Sequence, residues 1–427
     1  MLIEFSVANY RSFKDKVTFS MVAANIVAKD KHLDEANVFA VDDELKLLKS
    51  AAIYGANASG KSNLGQALSF MKWFMVNSSK ETQSTEKIGV ERFRLSTETE
   101  DKPSFFEIVF LIDKKKYRYG FEVNRDRVVS EWLFYVPKQR ETKLFGRNYN
   151  IIKISKTYKA DGIQEKTRHN ALFLSVSAQF NVKIAEQILA WLTNKLKIIS
   201  GLRDDNHFID TVQQCLAENK NKEAILRLIK KLDLGIDEVE VQEREITSDI
   251  LPDIFPDEFK KLLVKSGGTA TSIRTLHRKF DSQGHHTSME LFSLDEQESE
   301  GTKKVFALGG PLFDTLSNGK VLVIDEFDAR LHPLISRAIV DLFNSNETNP
   351  NNAQFIFMTH DTNLLSNKIF RRDQIWFTEK NRQGATDLYS LAEYNIRNDA
   401  SFESDYIKGR YGAIPYIMNL NNLINGT

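Results

Sequence analysis

The stretch IYGANASGKSN, residues 53–63, carries the spacing Gly-x-x-x-x-Gly-Lys-Ser. Glycines at Gly55 and Gly60 let loop amides curl around phosphate oxygens, while Lys61 reaches the outer phosphates and the Ser62 hydroxyl faces magnesium. On this reading Gly55, Asn57, Ala58, Ser59, Gly60, Lys61, Ser62 and Asn63 form a nucleotide loop, with ATP and Mg2+ as its ligands. The flanks agree with it. Apolar LKSAAIYG precedes the loop as a strand, and SNLGQALSFMKWFMVNS follows it with Leu64, Leu68, Met71 and Phe74 at helical spacing. Strand, loop and helix are the context that the motif requires.

Farther along, VLVIDEFDARLHP delivers Asp325 and Glu326 at the end of an apolar strand, where α/β sheets place ligand groups. Asp325 is the candidate to orient magnesium or its bound water, together with Ser62. Glu326, one residue on, is the candidate to polarise the attacking water, since one carboxylate can hold the metal while the next serves as base. A second apolar strand, FIFMTHD, ends at His360, which can hydrogen-bond a phosphoryl oxygen and report whether ATP is present. The catalytic candidates are therefore Glu326, His360 and Lys61.

Repeated return from helix to apolar strand after residue 304 predicts a mostly parallel sheet with helices on its faces. The N-terminal runs 2–7 and 17–22 alternate as an antiparallel pair, and SFFEIVFLID, KKYRYGFEVN and VVSEWLFYV read as an antiparallel meander. From about 182 to 240 the pattern turns helical, through VKIAEQILAWLTNKLKII, FIDTVQQCLAENK and KEAILRLIKKLDL. The polar run 267–289 reads either as an exposed segment or as an irregular strand pair. The expected organisation is an α/β head with a mixed, mainly parallel core sheet, an antiparallel subdomain and a helical insertion. Its parts are 1–180 with the phosphate loop, 181–265 as the inserted arm, and 266–427 with the later motifs.

Lysine plus arginine equals aspartate plus glutamate at 58 each, so composition gives no general attraction to nucleic acid or acidic membranes; DNA contact needs a local patch. Cys215 is the only cysteine, which excludes an intrachain disulfide framework and suits a reducing compartment. It reads as a part-buried helical residue. The start MLIEFSVANYRSF reads as a strand rather than a signal peptide, and no window approaches a membrane span, so a cytoplasmic protein with no membrane partner is expected. His285 and His286 lack further spaced ligands for a metal and read as solvated loop residues.

The order and wording of these motifs resemble the ABC-type ATPase superfamily that includes the SMC and RecF proteins, and within it the bacterial AAA-type, RloA-like or abortive-infection branch. The stretches that carry the resemblance are FSVANYRSFKD, GANASGKSN, YRYGFEV with Glu131, NALFLSVSAQFN, ESEGTKK, VLVIDEFDARLHP, MTHD, RRDQIWFTEK and YIKGRYGAIP. The resemblance implies a dimerisation signature at Ser299 and Gly301, where a serine hydroxyl and a glycine amide at a helix start cap the outer phosphate of ATP held by a second copy. The match departs from Leu-Ser-x-Gly-Gln, with Glu298 and Thr302 in the flanking positions. It further implies that Asp328 crosses such a dimer interface and that Arg11 and Ser12 approach the nucleotide. A magnesium-sensing glutamine is expected as well; Gln83 and Gln179 are visible, without a strand end to place them. The Lys408, Arg410 and Tyr411 cluster reads either as a contact for an acidic partner or as a turn docked on the core.

Two function classes follow. In the first, ATP brings two heads together as a sensor or clamp that regulates a separate effector, a nuclease or toxin, in anti-phage defence, with DNA or a phage-derived molecule as trigger. In the second, the chain is an SMC- or RecF-like DNA-binding ATPase of repair, or an ATPase that cleaves nucleic acid itself. The related overcoming-lysogenization-defect proteins carry a Toprim nuclease after the ATPase. Here the stretch after His360 is expected to be too short for one, and Glu379, Glu393 and Glu403 form no strand-borne metal cluster. A transport ATPase shares the same sandwich chemistry but needs a membrane-coupling surface.

Overall fold

The alternating N-terminal run forms β1 (Leu2–Ala8), which pairs antiparallel with β2 (Val17–Ser20) as its pattern predicts. The computed structural model describes residues 1–137, 140–199, 205–217, 220–231, 235–245, 269–397 and 400–416. A two-stranded ribbon, β3 (Val38–Ala40) and β4 (Lys46–Leu48), leads to β5 (Ser50–Tyr54) and the glycine loop. The meander adds β6 (Ser104–Ile112), β7 (Lys115–Val123), β8 (Val128–Val136), β9 (Thr142–Asn148) and β10 (Ile151–Ile154). Together they make a seven-stranded antiparallel sheet in the order β10-β9-β8-β7-β6-β1-β2.

The second sheet runs β11 (Leu196–Ile199), β15 (Val321–Ile324), β16 (Gln354–Met358), β5, β17 (Ile375–Lys380), β18 (Thr386–Ser390). All its pairings are parallel except β17 with β18. Continuous apolar strands such as VLVI and QFIFM are buried on both faces, as parallel strands must be when crossover helices cover the sheet. The helix Lys61–Asn77 buries Leu64, Leu68, Met71, Phe74 and Met75. Its Phe70 and Phe74 lie 5.1 Å and 5.5 Å, centre to centre, from Phe106 and Phe121 of the antiparallel sheet. One core thus joins both sheets through this helix, from Phe5 and Tyr119 on one side to Ile53, Val323 and Ile356 on the other. Each large side chain fully buried there contributes roughly 1.5–3 kcal/mol.

The chain divides into two compact units: Met1–Leu202 with Thr315–Ala329 and Ser336–Thr427, and Arg203–Asp314 with Arg330–Ile335. Both sheets above belong to the first. The second holds the helices Asp205–Leu216 and Lys220–Lys231 and a three-stranded antiparallel sheet of β12 (Glu238–Glu245), β13 (Thr269–Phe280) and β14 (His286–Ser293). The helix Glu300–Asn318 follows.

One reading of the sequence changes. KLKII was expected to continue a helix, but the helix ends at Lys195 and Leu196–Ile199 pair parallel with Val321–Ile324. The apolar run is short and the β15 edge offers it a ladder, which outweighs local periodicity. The run 267–289, where 269 onward is described, forms the strand pair read as one alternative, β13 with β14, with a register shift between Lys279 and Phe280 and its outer part exposed; β13 also pairs with β12. The part of the expected arm at 246–265 lies outside the described residues.

Candidate nucleotide-binding site

The ends of β5, β15 and β16 converge on a cleft of about 470 Å³ lined by Asn57 to Asn63, Asp325, Glu326, Met358, Thr359, His360 and Lys380. The loop turns into the helix at Gly60, whose φ of 116° lies in the left-handed region, with Ala58 at 60° beside it. Gly60 is also the start of a helix, whose first N–H groups have no partners within the helix, while Ser59 N donates to Ala56 O at 3.1 Å. Neither glycine leaves room for a side chain. A Cβ on Gly55 would lie 2.5 Å from Ser59 Oγ and from Thr378 O and Oγ1, and one on Gly60 would strike the Thr386 side chain.

Threonines brace the loop from behind. Ser59 Oγ shares a 2.6 Å hydrogen bond with Thr378 Oγ1, and Thr386 Oγ1 donates to Ser59 O at 2.7 Å. Asn63 Nδ2 donates to Ser12 Oγ at 2.7 Å, and Thr386 N donates to Ser12 O at 2.7 Å. The C-terminal half of β17 and the first residue of β18 therefore brace the loop, a contribution that motif spacing does not reveal.

Lys61 is buried and donates to the Gly55 and Ala56 carbonyls at 2.7 and 3.0 Å. Burial pushes its pKa down to about 8, against the pull of Asp325, Asp328 and Glu326. Asp325, also buried, continues the β15 ladder through its N–H to Ile199 O at 3.0 Å. Its Oδ1 accepts from Glu326 N at 3.1 Å. Glu326 takes a left-handed φ of 51°. That turn is locked by the next residue, Phe327, which is fully buried against Phe355 and Phe357 and donates N–H to Met358 O at 3.0 Å. A left-handed non-glycine residue costs on the order of 1 kcal/mol or more and persists where surroundings over-determine it.

His360 sits exposed at the mouth, its N–H donating to Asp328 Oδ1 at 3.2 Å. Partial desolvation and then Lys61 lower its pKa, while Asp328, Glu326 and Asp325 raise it; the net shift is downward. Arg11 is not among the cleft residues: its guanidinium pairs with Glu91 at 2.8 Å, and Ser12 is the member of that dipeptide bonded to the loop. Gln83 and Gln179 also lie outside the lining. Lys380 and Thr359 do line the cleft and went unmarked in the sequence, although the quoted stretch RRDQIWFTEK ends at Lys380.

In the second unit Ser299 precedes the helix Glu300–Asn318 and accepts from Thr302 N at 3.1 Å, an N-terminal cap. Gly301 is a steric necessity, since a Cβ there would lie 2.8 Å from the Arg330 carbonyl. Arg330 also pairs with Glu300 at 2.7 Å. His285, 3.4 Å from Asp281, and His286 are exposed, and among the described residues no group of His, Cys, Asp and Glu could by itself hold a metal ion. Burial raises the Cys215 thiol to about 11, leaving it un-ionised at neutral pH. Arg410 is paired to Asp405, and the Tyr411 carbonyl accepts from Tyr389 and Tyr394, so this turn is docked on its own unit.

Over residues 50–366 the sequence matches the family described as "AAA domain, putative AbiEii toxin, Type IV TA system". The chain belongs to this family. It therefore carries an AAA/ABC-type ATPase domain. No curated protein matches the sequence. Solved structures similar to it include the SMC head domain from Thermotoga maritima, at 14% identity with a TM-score of 0.39 over 91% of this chain and 98% of that one. Others are the recombination mediator protein RecF of the RecFOR pathway with ATPrS (13% identity, TM-score 0.33, 91% and 98% covered) and with ATP (12%, 0.32, 91% and 99%). Among the described residues no helix is long and apolar enough to cross a membrane.

The cleft suits a nucleoside triphosphate with Mg2+. The loop packs too closely at Gly55 and Gly60 for side chains, Lys61 supplies a cation, and Ser62 with one buried carboxylate, Asp325, offers the few oxygen ligands a magnesium site takes when phosphates complete it.

Proposed function

We propose that this chain is a magnesium-dependent ATP hydrolase of the cytoplasm whose heads dimerise around ATP and thereby regulate a separate effector, a nuclease or toxin acting in anti-phage defence. The observation that carries the catalytic part is the convergence of the Asn57–Asn63 loop, Asp325, Glu326 and His360 on one cleft. The family's description, which names an abortive-infection toxin and a toxin–antitoxin system, supports the defence context.

In this reading the loop amides and Lys61 hold the β- and γ-phosphates, and Ser62 and Asp325 hold the metal. Held there, Mg2+ would supply neutralisation of charge on the phosphate oxygens. Glu326 orients and deprotonates the attacking water, from a backbone turned left-handed at the end of β15. His360, its pKa lowered by desolvation and by Lys61, hydrogen-bonds the outer phosphoryl oxygen, held just past the end of β16 by its backbone N–H to Asp328. Ser299 and Gly301 of a second copy cap the same phosphate, with Asp328 near the interface. Arg11 reaches the nucleotide only by leaving Glu91.

Glu326→Gln tests both halves. ATPase turnover is expected to fall at least about 100-fold, as removal of a general base does, while ATP with Mg2+ shifts the native mass from monomer to dimer. Undiminished turnover overturns the role of Glu326; a monomer with bound ATP overturns the dimer cycle. Proteins and nucleic acids that co-purify with the trapped form decide between an effector regulator and a DNA-binding repair ATPase.

A further inference from the structure

Glu298, the residue before Ser299, is an acid in a place where acids are rarely buried. Its side chain is only 8% exposed, and the chain around it, at the end of the short helix Leu294–Gln297, is extended. One carboxylate oxygen, Oε1, accepts from the Thr275 hydroxyl and lies 2.7 Å from His277 Nε2. Thr275 and His277 share one face of β13, and Thr275 is fully buried. The His277 ring rests on Phe292 of β14, 4.6 Å centre to centre. Burying a carboxylate is costly unless hydrogen bonds replace its water. The chain meets that requirement here with two donors from one strand, all within the second unit.

The consequence is geometric. On its C-terminal side Glu298 is joined to Ser299, whose Oγ is tied to Thr302 and whose carbonyl accepts from Lys303 N at 3.0 Å. On its side-chain end it is fastened to the middle strand of a sheet. The Ser299 hydroxyl is thus linked to the helix that follows it and, through Glu298, to the middle strand of the sheet. Beyond His277 the β13–β14 hairpin is exposed from Arg278 to Leu291.

We propose that Glu298 is a positioning residue for ATP-dependent dimerisation: its bonds to Thr275 and His277 set the Ser299 hydroxyl, and they make the β13–β14 hairpin an element whose displacement weakens the closed dimer. This rests on the reading of Ser299 as the group that caps a second copy's ATP.

The test uses the full-length chain in the E326Q background, with ATP and Mg2+, measuring the dimer dissociation constant by sedimentation and ATP affinity of the dilute monomer by fluorescent-analogue binding. E298A is expected to weaken dimerisation at least about 10-fold with monomer ATP affinity unchanged. Glu298→Gln keeps an accepting oxygen and is expected to retain most of it. Should E298A lose its cooperative melt, T275V, close to the same shape and lacking the donor, takes its place with an expected loss of several-fold. S299R is the reference. If S299R abolishes dimerisation and E298A or T275V does not weaken it, the positioning role is overturned while the reading of Ser299 stands; if S299R also dimerises normally, that reading falls and this inference with it. A loss of monomer ATP affinity in E298A equal to its loss of dimerisation overturns the proposal too, because a general structural defect moves both.

Discussion

Lys61 in the free protein lies on two loop carbonyls, in a site that burial has made unfavourable for its charge. Its pKa of about 8 is below the ordinary 10.5, so the free protein sheds this proton as pH climbs past about 8. Bound phosphates favour the charged form and raise the pKa again. Nucleotide binding should therefore weaken above pH 8 and take up a proton there. Calorimetry in two buffers of different ionisation enthalpy is expected to show uptake approaching about one proton per site at pH 9 and little from this group at pH 7. Lys61→Arg, which cannot be neutralised in this range, should abolish the uptake; its persistence assigns the proton elsewhere. Lys380 poses a milder case. It is exposed at the rim of the same cleft, so its attraction for phosphate is screened. K380A should raise the KM for ATP by a factor of about 5, equivalent to ~1 kcal/mol, with kcat nearly unchanged and the difference shrinking at high salt. A fall in kcat of equal size places Lys380 in the reaction itself.

Helix Glu300–Asn318 meets helix Asp205–Leu216 at Gly310, whose N–H donates to Thr211 Oγ1 at 3.0 Å while that hydroxyl donates to Ala307 O at 2.8 Å. Helix propensity alone makes alanine better than glycine there by about 1 kcal/mol. Packing opposes it: a Cβ would lie 2.6 Å from Thr211 Oγ1 and 2.8 Å from Thr211 Cα. Overpacking against backbone costs about 1–3 kcal/mol, so G310A should lower the urea midpoint, and a raised midpoint means propensity won. The same competition between local and tertiary terms explains what could be read from the sequence. The helix after the glycine loop, the apolar strands ending at Ile324 and Met358, and the meander from Ser104 were legible because pattern and burial agree. Leu196–Ile199 was not, because four residues, three of them apolar, directly after a helix have no period of their own until β15 offers a partner. Likewise the motif residues of the cleft could be named from spacing, whereas Thr378 and Thr386 brace the loop from more than three hundred residues away, and no local pattern announces that.

At the scale of the molecule, the first compact unit is assembled from three separate chain segments, and the second interrupts it twice, at Arg203–Asp314 and at Arg330–Ile335. Strand β11 ends at Ile199 and β15 begins at Val321, and the two pair in parallel as neighbours. Every group of the cleft, from Asn57 to Lys380, belongs to the first unit, and so does the core that unites both sheets. Ser299, Gly301 and the Glu298 latch belong to the second. Nucleotide binding and the proposed dimer cap are thus carried by different units and should be separable. Replacing Arg203–Asp314 with a flexible Gly/Ser linker of about 15 residues, which spans roughly 20 Å, should leave a chain that melts cooperatively and binds ATP with Mg2+. Combined with E326Q, this chain should remain monomeric at ATP concentrations that dimerise the full-length E326Q protein. A folded, ATP-binding deletion that still dimerises would place the dimer contacts within the first unit and remove Ser299 from them. Loss of the cooperative melt would show instead that the first unit needs the second to fold, and that the two are one thermodynamic body despite their separate cores.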